Sequence, residues 1–231
     1  MSPDSTLAGR ATIHAALADP GRLAICDELA WSDRSPSELA ERLGIRSNLL
    51  AHHLLVLARA GLVETTRSAG DGRRRYVHLR HEVLSQVAPY GPPVAPVRPV
   101  SVLFVCSANS ARSLLAAALW RARSDVPALS AGITPAARVH PQAEAAAQRH
   151  GLDLAGAVPR PIEAVEEAPG LIVTVCDEAH EALAPREVPS LHWSVPDPAR
   201  AGTRTAFDRA VEALQRRVEL LSRAVQTPVT T

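Results

Sequence analysis

The segment PYGPPVAPVRP, Pro89 to Pro99, constrains this chain more than any other stretch. Pro89, Gly91, Pro92, Pro93, Pro96 and Pro99 follow one another too closely for helix or strand periodicity. Such composition behaves as a semi-stiff, extended connector. No packed element can run through it, so the 231 residues are expected to form two domains divided near residue 95, each able to bury its own core. The boundaries read as 1–88 for the first domain, 89–99 for the linker and 100–225 for the second, with a frayed tail, QTPVTT. No internal repeat is visible.

The formal net charge of +1 comes from 25 basic and 24 acidic residues, so the molecule as a whole carries no strong field for a polyanion. Any contact with nucleic acid has to rest on local patches. Every basic residue is Arg, which reads as compositional bias and not as a site. The start, MSPDSTLAGR, lacks the basic and apolar regions of a secretory signal, and no apolar run approaches the ~20 residues of a membrane span. A cytoplasmic protein with no membrane partner is expected. Cys26, Cys106 and Cys176 are too few and too scattered for a disulfide framework, and a reducing compartment keeps them as thiols.

Before the linker the pattern is mostly helical. LAGRATIHAALADP stops at Pro20, GRLAICDELAW follows, and SPSELAERLG has Ser35 at a cap position, Glu38 in the first turn and Gly44 at the stop. RSNLLAHHLLVLARAG then repeats apolar positions at Leu50, Leu54 and Leu57. A short helix, a tight turn and a longer helix make a helix-turn-helix, whose second helix enters the major groove. LVETTRSAGDGRRRYVHL alternates in strand fashion about Gly70-Asp71-Gly72, a turn that tolerates positive φ. Its returning arm opens with Arg73, Arg74 and Arg75, whose guanidiniums can reach phosphates or a minor groove. Cys26 falls on an apolar helix face and reads as core.

ALADPGRLAI, SELAERLGI, HHLLVLARAGLV and the hairpin resemble the ArsR-type family of small bacterial repressors over residues 8 to 88. The resemblance implies a winged helix acting as a homodimer on palindromic operator DNA, with the terminal helices at the dimer contact. It places Arg46, Ser47, Asn48, Ala51, His52 and His53 on the exposed start and middle of the reading helix. Ser47, Asn48 and His52 are the favoured base or phosphate contacts; His52 and His53, adjacent on the helix, cannot both face the groove. Metal-sensing members have a Cys-x-Cys pair where this chain has Ser35-Pro36-Ser37, so a soft-metal thiolate site is not expected there.

After the linker, apolar runs (SVLFVC, GLIVTVC) alternate with Ala-rich helical stretches, the signature of α/β architecture with a parallel sheet. In VLFVCSANSARS an apolar strand delivers Cys106, and a helix begins immediately after Arg112. A loop wrapped at a helix N-terminus points its N–H groups inward and gains partial positive charge from the helix dipole. Arg112 offers a planar fork to two oxygens of a tetrahedral oxyanion. In that field a thiolate is favoured over a thiol. Ser107, Ala108, Asn109, Ser110, Ala111, Arg112 and Ser113 thus form an anion cradle with a nucleophile at its floor. His140, His150 and His180 are dispersed, suit no metal and read as surface residues; Glu163, Glu166 and Glu167 read as a solvated helix face.

CSANSARS, SAGI at Ser130 to Ile133, VTVC ending at Cys176 and HWSVPDPA at His192 to Ala199 resemble the low-molecular-weight tyrosine phosphatase fold, and within it the thioredoxin-linked arsenate reductases. The resemblance implies a four-stranded parallel sheet, Cys106 as nucleophile, Arg112 as oxyanion ligand, Ser113 as hydrogen-bond donor to the thiolate, and Asn109 as a brace of the loop. It makes Asp197, fixed by Pro198, the general acid, and Cys176 the second thiol. Phosphatases of this kind follow the Asp-Pro pair with aromatic residues; here Ala199-Arg200 follow, and Tyr76 and Tyr90 lie outside this domain. A substrate without an aryl group is therefore favoured, arsenate or phosphate.

One departure matters for turnover. Leu183 stands where the thioredoxin-linked reductases carry a third cysteine, so recycling requires a Cys106–Cys176 disulfide or an external donor, thioredoxin or a low-molecular-weight thiol. No bound cofactor is expected. Three functions stay open: a regulator fused to a thiol-dependent arsenate reductase, a regulator whose second domain only senses an oxyanion, and a tyrosine phosphatase with a DNA-binding appendage.

Overall fold

A computed structural model describes residues 7–85, 99–183 and 187–226, which form two compact units. The expected linker lies, apart from Pro99, outside the described residues, as does the tail beyond Gln226.

The first unit opens with α1 (Leu7–Leu17), α2 (Pro20–Trp31), α3 (Pro36–Leu43) and α4 (Ser47–Arg59). Each start has a chemical cause. Asp19 caps α2 by accepting from the Arg22 N–H at 2.9 Å, with Pro20 in the first turn. Ser35 and Glu38 form a reciprocal capping box on α3, and Gly44 ends it in the left-handed conformation at φ 62°. Ile25, Leu29, Leu39, Leu50 and Leu57 meet in the core, each such side chain contributing roughly 1.5–3 kcal/mol by leaving water.

β1 (Val63–Arg67) and β2 (Arg75–Leu79) pair antiparallel, from Val63 opposite Leu79 to Arg67 opposite Arg75. Arg34 adds a bridge to Val77, tying the α2–α3 connection to the hairpin. The turn departs from expectation. Ser68 N–H donates to the Arg74 carbonyl at 3.0 Å, so the loop spans 68–74, and neither Gly70 nor Gly72 takes a positive φ. A loop of that length closes without the left-handed residues a two-residue turn demands. The short α5 (His81–Leu84) follows β2, with Ser85 at its C-cap.

The second unit runs β3 (Val102–Cys106), α6 (Arg112–Arg121), β4 (Ala128–Gly132), α7 (Pro141–Arg149), β5 (Leu171–Thr174), α8 (Asp177–Ala182), β6 (Ser190–His192), α9 (Pro198–Ala201) and α10 (Arg204–Gln226). Its sheet is four-stranded and parallel, in the order β4-β3-β5-β6. β3 is central and wholly buried, which is why its sequence reads as an unbroken apolar run. Phe104 lies between Trp120 and Trp193, at ring distances of 6.0 and 5.9 Å. α6 packs on β3 and β4, and α10 on α6 and α7.

The acidic run is not a helix face. Ile162–Ala164 is a single 3-10 turn, and Glu163, Glu166 and Glu167 are exposed around it. Among the described residues, no helix is long and apolar enough to cross a membrane.

Candidate active site

Parallel strands release their loops at one edge, and the sheet register sets what meets there. Val105 on β3 is opposite Thr174 on β5, and Val175 N–H donates to the Val105 carbonyl at 2.7 Å. Cys106 and Cys176 therefore leave neighbouring strands at the same edge, both buried and both free thiols.

From Cys106 the chain wraps through Ser107–Ala111 into α6, with Arg112 as its first residue. Its shape is fixed from outside. The N–H groups of Ile133, Thr134, Ala136 and His140 donate to the carbonyls of Cys106, Ser107, Ala108 and Ser110 at 3.2, 2.8, 2.9 and 2.9 Å. With those carbonyls held outward, loop N–H groups face the centre. Asn109 takes φ +46°, unique to it among the described non-glycine residues, and Asn tolerates this region better than most. That turn aims its own N–H at Cys106 Sγ, 3.2 Å away.

The Asn109 side chain uses both ends. Nδ2 donates to Ser113 Oγ at 2.8 Å, and Oδ1 accepts from the Arg160 N–H at 2.9 Å. Aspartate would lose the first bond. Because Ser113 Oγ already accepts, its own proton is available to Cys106 Sγ at 3.0 Å. Gly132 completes the seat: a Cβ there would stand 2.9 Å from both Asn109 N and Ser107 O. Gly132 and Arg160 escaped the sequence reading; SAGI marks the first, but nothing local marks Arg160.

Arg112 is only 6 % exposed. Nη1 donates to the Val195 carbonyl at 3.0 Å, and Nη2 lies 3.4 Å from Asp197 Oδ2. Asp197 Oδ1 accepts from the Ala199 N–H at 3.0 Å, capping α9. The carboxylate is thus held at the cradle by the helix it starts, with Pro198 in the first turn. Ser107, Ala108 and Ser110 line the more open side, while Ala111 is buried.

Cys176 caps α8, its sulfur accepting from the Ala179 N–H at 3.4 Å. Burial pushes its thiol up to about 11; Arg112 pulls it down, Cys106 pushes it up, and the Ser107 N–H also favours its thiolate. Directly after Cys176, Asp177 Oδ1 meets His192 Nε2 at 3.2 Å, and His192 Nδ1 meets Thr174 Oγ1 at 3.0 Å. Burial alone would raise the Asp177 carboxyl, but hydrogen bonds from His192 and Ser194 hold it below its ordinary value. His180 stacks on His192 at 4.1 Å. This buried cluster joins the ends of β5 and β6 to the start of α8.

The three dispersed histidines are corrected in consequence. His180 stacks on His192, His140 caps α7 and stacks on Phe207 at 4.8 Å, and His150 meets Asp208 at 3.2 Å. None is fully exposed, because each imidazole has an aromatic or acidic neighbour to cover it.

Residues 101–230 match the family described as low molecular weight phosphotyrosine protein phosphatase. The chain belongs to that family. Solved structures similar to this chain include an arsenate reductase from Archaeoglobus fulgidus, 33% identical over 53% of this chain and 99% of that one, with a TM-score of 0.48. A thioredoxin-dependent arsenate reductase from Corynebacterium glutamicum is 24% identical over 59% of this chain and 65% of that one, with a TM-score of 0.47. Ahead of the phosphatase-family region, residues 17–66 match a helix-turn-helix domain. The HTH-type transcriptional repressor SmtB of Mycobacterium tuberculosis is 40% identical over 78 residues, 33% of this chain. The chain spans 58% of the length of that relative.

On the helix-turn-helix, Arg46, Ser47, Asn48, Ala51 and His52 are exposed along the start of α4, and Arg73, Arg74 and Arg75 along the hairpin. His53 is different. It is buried, with Nδ1 3.8 Å from Asp19 Oδ1 and Nε2 so close to Gly21 that a Cβ there would stand 3.0 Å away. One helical turn separates it from Leu50 and Leu57, so it faces the core and is withdrawn from the DNA-facing set. Cys26 is fully buried, and burial pushes its thiol up to about 12. The Ser35 hydroxyl, at the N-cap of α3, lies 3.0 Å from that of Ser37.

Proposed function

We propose that the chain is an operator-binding regulator fused to a thiol-dependent arsenate reductase. The observation that carries the enzymatic half is a second thiol, Cys176, leaving the strand beside that of Cys106 at the same sheet edge, both buried and both free. A phosphate ester needs only one thiolate and an acid. Reduction of arsenic needs two electrons, which a pair of thiols supplies.

In this reading Cys106 Sγ attacks arsenic, an As–O bond breaks, and Asp197 protonates the departing hydroxide to water. Arg112 and the loop N–H groups hold the remaining oxygens. Cys176, as thiolate, then attacks Cys106 Sγ. An S–S bond forms, the As–S electron pair stays on arsenic, As(V) becomes As(III), and arsenite leaves. The disulfide is reduced from outside by a dithiol such as thioredoxin or by two low-molecular-weight thiols, since Leu183 offers no third sulfur. Asp197 without a flanking aromatic residue supports a small inorganic oxyanion over an aryl ester. The helix-turn-helix half would bind operator DNA as a homodimer through Arg46, Ser47, Asn48 and His52, with Arg73, Arg74 and Arg75 on the phosphate backbone.

The test is arsenite release by the full chain with arsenate and a panel of donors. Cys106→Ser and Cys176→Ser are expected to fall to background, and the wild type to yield a Cys106–Cys176 disulfide by mass spectrometry. Because Cys176 is a neutral thiol below about 11, the disulfide-forming step should rise about tenfold per pH unit beyond the point where an ordinary thiol levels off near 8.5. Failure with every donor removes the reductase. Aryl phosphate hydrolysis lost in Asp197→Ala would replace it with a phosphatase. Leu183 favours one further reading, an oxyanion-sensing regulator; operator release by arsenate that persists in Cys106→Ser would establish it.

A further inference from the structure

The hairpin holds a hydrogen-bond chain that neither the helix-turn-helix nor the anion cradle uses. Asp33 Oδ1 lies 3.0 Å from His78 Nδ1, and His78 Nε2 lies 2.6 Å from Thr66 Oγ1. Asp33 and His78 are buried, at 4% and 9% side-chain exposure; Thr66 is exposed on β1. In the neutral imidazole the carboxylate settles the tautomer. Nδ1 carries the proton that Asp33 accepts, which leaves Nε2 as a lone pair. Thr66 must then turn its hydroxyl proton inward to His78. What it shows to a partner is oxygen lone pairs alone.

That polarity decides what Thr66 can recognise. A phosphate oxygen is itself an acceptor and offers such a group nothing. Exposed Arg67 and Arg75 are paired across the strands beside it, with Arg73 and Arg74 on the loop, and Arg side chains are used to read the A·T-versus-G·C pattern of the minor groove of DNA. Only one base group in that groove donates, the 2-amino group of guanine. We infer that Thr66 is a specificity-determining residue of the hairpin, an acceptor for a guanine 2-amino group in the minor groove, locked in that role by Asp33 and His78. The inference rests on the DNA-binding reading above.

The test begins with the full chain and a pool of random duplexes, from which bound sequences are retained. Guanines in a retained duplex are then replaced one at a time by inosine, which lacks the 2-amino group and leaves the major-groove edge unchanged. Wild type is expected to lose roughly fivefold in affinity at one position, the worth of one neutral hydrogen bond. Thr66→Val should bind guanine and inosine at that position equally, and Thr66→Ser should restore the preference. Equal binding of every inosine duplex by the wild type, or an undiminished preference in Thr66→Val, overturns the inference. Retention of no duplex overturns the DNA-binding reading and this inference with it.

Discussion

Two buried aspartate–histidine pairs, one in each half of the chain, end on a threonine hydroxyl. In the first unit the order is Asp33, His78, Thr66; in the second it is Asp177, His192, Thr174. They differ at the last atom. Thr174 is buried and also reaches the Leu191 carbonyl at 3.3 Å, so every polar group in its chain ends inside the protein. Thr66 is exposed, and its chain ends at the surface with unused lone pairs. The same three residue types therefore make a staple in one place and a polarised surface group in the other. Burial of the final hydroxyl separates the two roles, and each link can be broken on its own.

The largest effect is expected from removing a carboxylate. Asp177→Ala removes the carboxylate that His192, which is 0% exposed, meets in the core, and breaking a buried pair costs about 3–5 kcal/mol. Hydrogen exchange on the full chain should show this as lost protection in β5 and β6. Asp33→Ala should cost a similar amount, read out in α2 and β2. If Asp33→Ala leaves protection unchanged, the first pair is not a fixed structural unit, and the tautomer that defines Thr66 loses its support.

These chains were invisible in the sequence for a physical reason. VLFVCSANSARS is legible because strand, loop and helix start are contiguous, so Cys106, Asn109, Arg112 and Ser113 carry their geometry in their spacing. Asp33 sits after a helix and His78 on a strand, and the Arg34–Val77 bridge brings them together. His192 likewise meets Asp177 through sheet pairing. His53 teaches the opposite lesson. Its position between Leu50 and Leu57 placed it on the inward face by spacing alone, and its polar chemistry invited the wrong surface. Arg160 reaches the cradle through its backbone N–H, which no side-chain pattern can announce.

A smaller effect comes from removing only the charge. Hydrogen bonds from His192 and Ser194, outweighing burial, hold the Asp177 carboxyl below its ordinary value. A depressed carboxyl contributes stability above its unfolded pKa of about 3.9, and that contribution is lost as pH falls through the folded value. Protection of β5 and β6 should be steady from neutral pH down to about 5 and decline below about 4. In Asp177→Asn that part of the slope should disappear, leaving only what other carboxylates supply. An unchanged slope would show that the second staple is held by shape and not by charge.

The hydroxyls give the smallest effect and the sharpest contrast. Thr174→Val keeps the side-chain volume but removes the hydroxyl that His192 Nδ1 meets at 3.0 Å in a dry interior, at a cost of about 1–3 kcal/mol. Thr66→Val faces water on one side, where a solvent molecule can take over the bond to His78, so stability should change by no more than about 0.5 kcal/mol. Urea unfolding of the two variants should therefore separate them, with only Thr174→Val shifting its midpoint. If both shift alike, Thr66 is a core residue that happens to touch solvent, and its lone pairs are not presented to a partner. If only Thr174→Val shifts, a loss of guanine preference in Thr66→Val cannot be ascribed to a loosened hairpin, because the hydroxyl would then matter to recognition while leaving the fold unchanged.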